Sequence, residues 1–306
     1  MKKSYLFLCI ALCSATLYAQ GIRVLSNEEI SIPGSGGYFN PVLSPAGDFM
    51  LVTSADLTGL LKYDFATKKL TPVTAGASAG FDAQISSDGS ALVYRTAEYK
   101  NRLRYVSLKS LDLKTGKETV LIEPTRNLEG VVVKDGTVLA VDNGTLTSRR
   151  VAGKTLSVVP PVSSIKNGSL YVTRGNSTRL VSPLGEDKGY LWNSVSPDGT
   201  KLLFYVIEHG KAYVSGIDGS NPVSLGVLRA PKWMGNDWVV GMLDFDDGHV
   251  VTASKIIAVT ANGTVRQDLT DSSVIATYPA PSSDGSKILY NTGDGKIYLM
   301  NIEITK

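Results

Sequence analysis

Three features of the sequence predict an all-β protein of the β-propeller class. Helical periodicity is almost absent, and short runs rich in Val, Ile, Leu, Tyr and Thr take its place. Between those runs stand seven Asp-Gly pairs (led by Asp88, Asp135, Asp198, Asp218, Asp247, Asp284 and Asp294) and three Asn-Gly pairs (led by Asn143, Asn167 and Asn262). Such pairs accept the positive φ that tight hairpin turns demand, so they mark an antiparallel meander. The third feature is a long period. VLSPAGDFMLV from Val42, QISSDGSALVY from Gln84, SVSPDGTKLLFY from Ser194 and APSSDGSKILYN from Ala280 each carry a short strand, Ser-Pro or Ser-Ser, a turn glycine and an apolar strand. Gly47 and Gly89 lie 42 residues apart, and Gly199 and Gly285 lie 86 apart, two periods of 43. A repeat of that length is one propeller blade.

Taken in order, the chain opens on an export signal, residues 1–19. Lys2 and Lys3 precede an apolar run from Tyr5 to Tyr18, and Ala19 is a small residue suited to the cleavage position. The mature protein is then a single domain over 20–306, placed in the periplasm or at the cell surface. The only cysteines, Cys9 and Cys13, fall inside the signal, so disulfides, thiolate metal sites and cysteine nucleophiles are excluded from the mature domain. The formal charge of +3 includes Lys2 and Lys3, and no basic run or acidic tail occurs, which argues against nucleic acid as a partner. No second long apolar stretch follows, so the mature chain is not expected to span a membrane.

Within the repeats, FMLVTSAD, LLKYDFATKK and LTPVTAG read as strands two to four of one blade, and KLLFYVIEHG, KAYVSGIDGS and NPVSLGVL as those of another. The last unit, from Ile275, has three strands. IRVLSNEEISI from Ile22 supplies a fourth, closing the ring and removing both sheet edges. Residues 128–189 break the rhythm: VVVKDGTVLAV from Val131 resembles SSIKNGSLYVT from Ser163, only 32 residues on. If each starts a blade there are seven, two of them short; if not, there are six.

The Ser-Pro-Asp-Gly box followed by an apolar strand, best seen in SPDGTKLLFY from Ser196, resembles the repeat of TolB-like propellers, and the resemblance covers nearly all of residues 22–306. It implies a ring of six four-stranded blades, with seven as the alternative. The box departs from the pattern at Ala46, Ser87 and Ser283. The α/β domain of TolB and the hydrolase domain of peptidase relatives have no counterpart in this sequence, so the resemblance implies fold and not a role. YLWNSVSPDG, RAPKW, DWVVGM and DDGHVVTAS further resemble segments of exported propellers of Bacteroidetes-type bacteria.

Chemistry is concentrated in one stretch. Trp192, Trp233 and Trp238 are the only tryptophans, and Asp244, Asp246, Asp247 and His249 follow in LDFDDGH. These residues are the candidate binding site: tryptophans stack on sugars or anchor a partner, and clustered carboxylates suit a hard cation such as calcium. Each also has a structural reading, as blade core for the tryptophans and hairpin turn for Asp247-Gly248. Catalytic signatures are missing. There is no G-x-S-x-G elbow for a triad around His209 or His249, no sialidase-type Asp box, and no lysine-serine pair or helix after Gly34-Ser35-Gly36-Gly37. YKNRLRYVSLK from Tyr99 reads as a long hairpin. The sequence therefore favours a non-enzymatic envelope module that docks a protein or peptide on a ring face, with no obligate cofactor. The alternative is a glycan-binding or glycan-processing propeller, calcium-dependent in one form.

Overall fold

The computed structural model describes residues 21–305, Ser35 and Thr155 excepted. The expected export signal lies outside the described residues. From Gly21 onward the chain forms strands joined by turns, β1 being Gly21–Ile30. Blade 1 holds β2 (Phe39–Leu43), β3 (Phe49–Thr53), β4 (Leu60–Asp64) and β5 (Leu70–Thr74). Blade 2 holds β6 (Gln84–Ile85), β7 (Ala91–Lys100), β8 (Leu103–Asp112) and β9 (Glu118–Thr125). Blades 3 and 4 have three strands each: β10 (Leu128–Lys134), β11 (Thr137–Asp142) and β12 (Thr145–Arg150), then β13 (Val162–Lys166), β14 (Ser169–Arg174) and β15 (Ser177–Leu180). Blade 5 holds β16 (Tyr190–Val195), β17 (Lys201–Val206), β18 (Lys211–Gly216) and β19 (Val223–Gly226). Blade 6 holds β20 (Arg229–Met234), β21 (Trp238–Asp246), β22 (Val251–Thr260) and β23 (Arg266–Asp268). Blade 7 joins β24 (Ala276–Pro281), β25 (Lys287–Thr292) and β26 (Ile297–Thr305) to β1, in the order β1-β26-β25-β24.

The ring thus has seven blades, not the six that the resemblance implied. The first strands of successive blades touch in the series β6, β10, β13, β16, β20, β24, β2, so the short sheets of blades 3 and 4 each fill a full place in the ring. Their turns explain why the 43-residue period fails there. Asp135-Gly136, Asn143-Gly144 and Asn167-Gly168 have positive φ at both residues, the geometry of a two-residue hairpin, so three strands fit within 128–150 in blade 3 and 162–180 in blade 4.

The boxes use their glycines differently, with positive φ at the glycine alone. In three of them the serine hydroxyl donates to the aspartate: Ser86 to Asp88 (2.6 Å), Ser196 to Asp198 (2.6 Å) and Ser282 to Asp284 (2.5 Å). The same serine oxygen accepts the N–H of Ala91, Lys201 or Lys287, and the carboxylate accepts that of Ser90, Thr200 or Ser286. Where Ala46 replaces the aspartate, Asp48 supplies the carboxylate from beyond the glycine, at 2.6 Å from the Ser44 hydroxyl. Hydrogen bonds from Ser86, then from the Ser90 N–H, hold the Asp88 carboxyl below its ordinary value of 3.8; those from Ser282 and the Ser286 N–H do the same for Asp284. A carboxylate whose pKa is depressed by folding adds stability that is complete above the unfolded value and lost as pH falls through the folded one. Melting temperature is therefore expected to fall below about pH 4, and Asp88→Asn with Asp284→Asn to flatten that fall, as read by calorimetry across an acid series.

The core consists of apolar layers between blades. Trp238, Ile256, Ile288, Tyr290 and Met300 fill the space between blades 6 and 7, and Leu203, Val214, Val239 and Ile257 that between blades 5 and 6. Two glutamines act as backbone mimics across blades. Gln84 accepts from Val133 N–H and donates to Val131 C=O, and Gln267 pairs both the N–H and the C=O of Ile22.

Candidate functional site

The two ends of the ring differ. One carries the boxes. The other, the hairpin end, carries the turns between second and third strands and the entries into the first strands, since Phe39 pairs with Thr53, Tyr190 with Val206 and Arg229 with Met242. The exposed aromatics Phe81, Tyr99, Trp192, Phe245 and Tyr278 all belong to the hairpin end. A shallow groove of about 460 Å³ lined by Lys201, Asp237 and Asn262 lies at the box end instead.

Counting from the box glycines picks out equivalent positions at the hairpin end of the first and second strands. Asn40, Asp82, Trp192 and Tyr278 each stand seven residues before such a glycine, and each has positive φ (46°, 53°, 47° and 51°). Beside Asn40, Trp192 and Tyr278 the strand pairing shifts register, and such a bulge re-aims a side chain. Thr53, Arg95, Tyr205 and Asn291 stand six residues after the same glycines, on the paired second strands. The partners touch in characteristic ways. Arg95 Nη1 donates to Asp82 Oδ2 at 2.9 Å, and Arg95 lies over the Phe81 ring at 5.3 Å. Trp192 meets Tyr205 edge-on at 5.0 Å. Asn291 donates to Thr277 in its own blade and accepts the Asn40 N–H of blade 1. Blade 6 has no box, yet Ala230 takes the same bulge conformation (φ 45°) next to Arg229. The repeat is uniform at the box and varied at the mouth, which is how a scaffold presents recognition residues.

The residues singled out in the sequence separate into three settings. Trp238 is 2% exposed, inside the layer between blades 6 and 7. Trp233 is half-buried against the layer between blades 5 and 6, its indole N–H reaching Ser194 C=O at 3.4 Å. Trp192 alone is exposed, at 39%. Asp244, Asp246, Asp247 and His249 share the β21–β22 hairpin but do not converge. Asp244, with a side chain 4% exposed, pairs with Arg229 at 2.8 Å, and its second oxygen is buried without a hydrogen bond. Asp246 caps the Gly248 N–H, and Asp247 accepts those of His249 and Val250, which hold its carboxyl below the ordinary range, Val250 foremost. The His249 side chain is exposed at the tip. His209 Nδ1 is bonded to the Tyr213 hydroxyl at 2.8 Å. Among the described residues no group of three His, Cys, Asp or Glu side chains is placed to hold a metal.

The hairpin-end positions Asp82, Arg95, Tyr205 and Tyr278 escaped the sequence reading. The available signal was the offset from each box glycine, where four aligned repeats agree about the turn and disagree about these residues.

A ring of seven antiparallel sheets closed by its own first strand defines a β-propeller. Neither a protein-family model nor a curated protein sequence matches the chain. Solved structures do resemble it. The WD40 repeats of RRP9 align over 92% of this chain and 97% of theirs, with a TM-score of 0.60 and 11% identity. TolB from Acinetobacter baumannii aligns over 80% of this chain and 57% of its own, with a TM-score of 0.54 and 14% identity. An oligogalacturonate lyase in complex with manganese aligns over 88% and 78%, with a TM-score of 0.52 and 16% identity. The fold is a β-propeller, shared with TolB among others, and these likenesses extend to the fold alone.

Proposed function

We propose that this chain is a non-catalytic binding module that docks a protein or peptide partner in the cell envelope, on the hairpin end of the ring. The observation that carries the reading is the segregation of exposed aromatics to that end, around a mouth whose residues vary while the repeat is kept. Exposed apolar patches rimmed by polar groups mark interaction surfaces, and aromatic and arginine side chains supply most of the energy there. Trp192 and Tyr278 are the anchors. Both are bulky residues at the recurring bulge, held at positive φ at a cost of order 1 kcal/mol and left exposed. Trp192→Gly is therefore expected to keep or raise the melting temperature, because glycine takes that φ freely. Together with Tyr278→Ala it is expected to weaken partner binding by about tenfold or more. The test is a cross-linked pull-down from envelope extract with the wild type and the double variant in parallel. A partner held by the first and lost by the second supports the reading. Equal retention by both, or turnover of a defined substrate, overturns it.

A second reading, a glycan-binding or glycan-processing propeller, draws on the same exposed indole, since sugars stack on tryptophan faces. Loss of glycan-array signal on Trp192→Gly favours it over the peptide reading. Its calcium-dependent form would use Asp246 and Asp247 at the hairpin tip. A melting temperature raised by calcium in the wild type but not in Asp246→Asn/Asp247→Asn supports that form, and an unchanged one removes it.

A further inference from the structure

Two hairpins at the same end of the ring are longer than the rest. The pairing of β7 with β8 runs outward to Lys100–Leu103, whereas β6 reaches only Val93 and β9 only Val106. The pairing of β21 with β22 runs to Asp246–Val251, whereas β20 stops at Met242 and β23 at Ile257. At the tips, residues 99–104 and 245–251 are all exposed. The tips differ in charge and agree in apolar content. The blade 2 hairpin exposes Lys100, Arg102 and Arg104 against one carboxylate, Glu98, which Lys100 already engages at 2.7 Å. The blade 6 hairpin exposes Asp246 and Asp247 with no lysine or arginine at its tip. Tyr99 (73% exposed) and Leu103 accompany the cations; Phe245 and Val250 accompany the carboxylates.

Blades 2 and 6 are separated by three blades on one side of the ring and two on the other, so the hairpins rise from nearly opposite sides of the mouth. A surface with a basic prong on one side and an acidic prong on the other is complementary to itself under a twofold rotation. The basic hairpin of one copy then meets the acidic hairpin of the second, and the reverse contact forms at the same time, as an isologous interface requires. We propose that two copies of this chain associate face to face through these hairpins, charge against charge, with Tyr99 and Leu103 set against Phe245 and Val250. The contact uses residues other than Trp192 and Tyr278, so it is separable from the docking reading above.

The test is sedimentation velocity of the purified chain over a concentration series at low and high salt. A dimer that dissociates with rising salt is expected, since exposed charge pairs are screened within a Debye length of about 10 Å at 0.1 M. R102E/R104E carries two acidic prongs and D246K/D247K two basic ones; each alone is expected to associate at least about tenfold more weakly, through like-charge contact at both prongs. Mixed in equal amounts they restore opposite charges at both contacts and are expected to sediment as a mixed dimer. All four positions are exposed on hairpin tips, and unchanged melting of each variant confirms that it folds. A wild type that stays monomeric at every concentration, or a dimer that survives both reversals, overturns the proposal. In the first case a pull-down that still depends on Trp192 and Tyr278 leaves the docking reading standing.

Discussion

Trp238→Ala is expected to destabilise the protein by about 3–5 kcal/mol, the usual range for removing a fully buried tryptophan. For a chain of this size that lowers the melting temperature by roughly 6–15 °C. The side chain is enclosed between blades 6 and 7 by Ile256, Ile288, Tyr290 and Met300. Its indole N–H has no hydrogen-bond partner, so what it contributes is apolar volume. Trp238→Phe keeps most of that volume and abandons no bond, and is expected to cost only about 1–2 kcal/mol. Trp192→Gly, in the same sequence cluster, is expected to cost nothing measurable. Thermal melting of the three variants side by side checks the assignment. Equal losses at Trp192 and Trp238 would show that both are core residues and that Trp192 is no anchor.

The second large effect concerns ring closure. A chain lacking Gly21–Ile30 is expected to lose cooperative melting and to elute as aggregate. β1 pairs along β26 from Gly21–Thr305 to Ile30–Ile297, with one bulge after Val24. Ile22 also enters the layer between blades 6 and 7, where Gln267 holds its backbone from blade 6. Without β1, β26 becomes an unpaired edge of nine residues, a template for intermolecular pairing. Gln267→Ala, which removes only the clamp, is expected to cost about 1–2 kcal/mol. Because Gly21 lies directly opposite Thr305, a permuted chain that starts at Ser31 and returns from Thr305 to Gly21 through a short turn is expected to recover both solubility and cooperative melting. Failure of that permutant while the truncated chain stays folded would show that β1 is dispensable.

Much of the fold is legible because its determinants are local. The box Ser-x-Asp-Gly closes its own hydrogen bonds within five residues, so it looks the same wherever a first strand turns into a second. Even the exception at Ala46 is repaired locally, by Asp48. Ring closure is legible for a similar reason, since three strands at one terminus and one at the other leave a single complementary gap. The blade count is not. Blades 3 and 4 use Asp-Gly and Asn-Gly hairpins without a box and dispense with one strand each. Whether such a short sheet is a blade or the rim of its neighbour depends on β10 touching β13 and β13 touching β16.

The candidate site divides along the same line. The tryptophans share a composition and a neighbourhood in the sequence, but burial separates Trp238 from Trp192. Asp244 and Asp247 lie three residues apart, yet one is paired to Arg229 beneath the surface and the other caps a hairpin tip. The sequence by itself determined the strand content, the period, the box turns and the closing strand, since each rests on backbone hydrogen bonds made by neighbours or by a single missing partner. Only the tertiary structure decided the number of blades, the end of the ring where the aromatics gather, and the opposition of a basic to an acidic hairpin. Those depend on how separate sheets are arranged around a common axis, and no stretch of chain shorter than the whole ring encodes that arrangement.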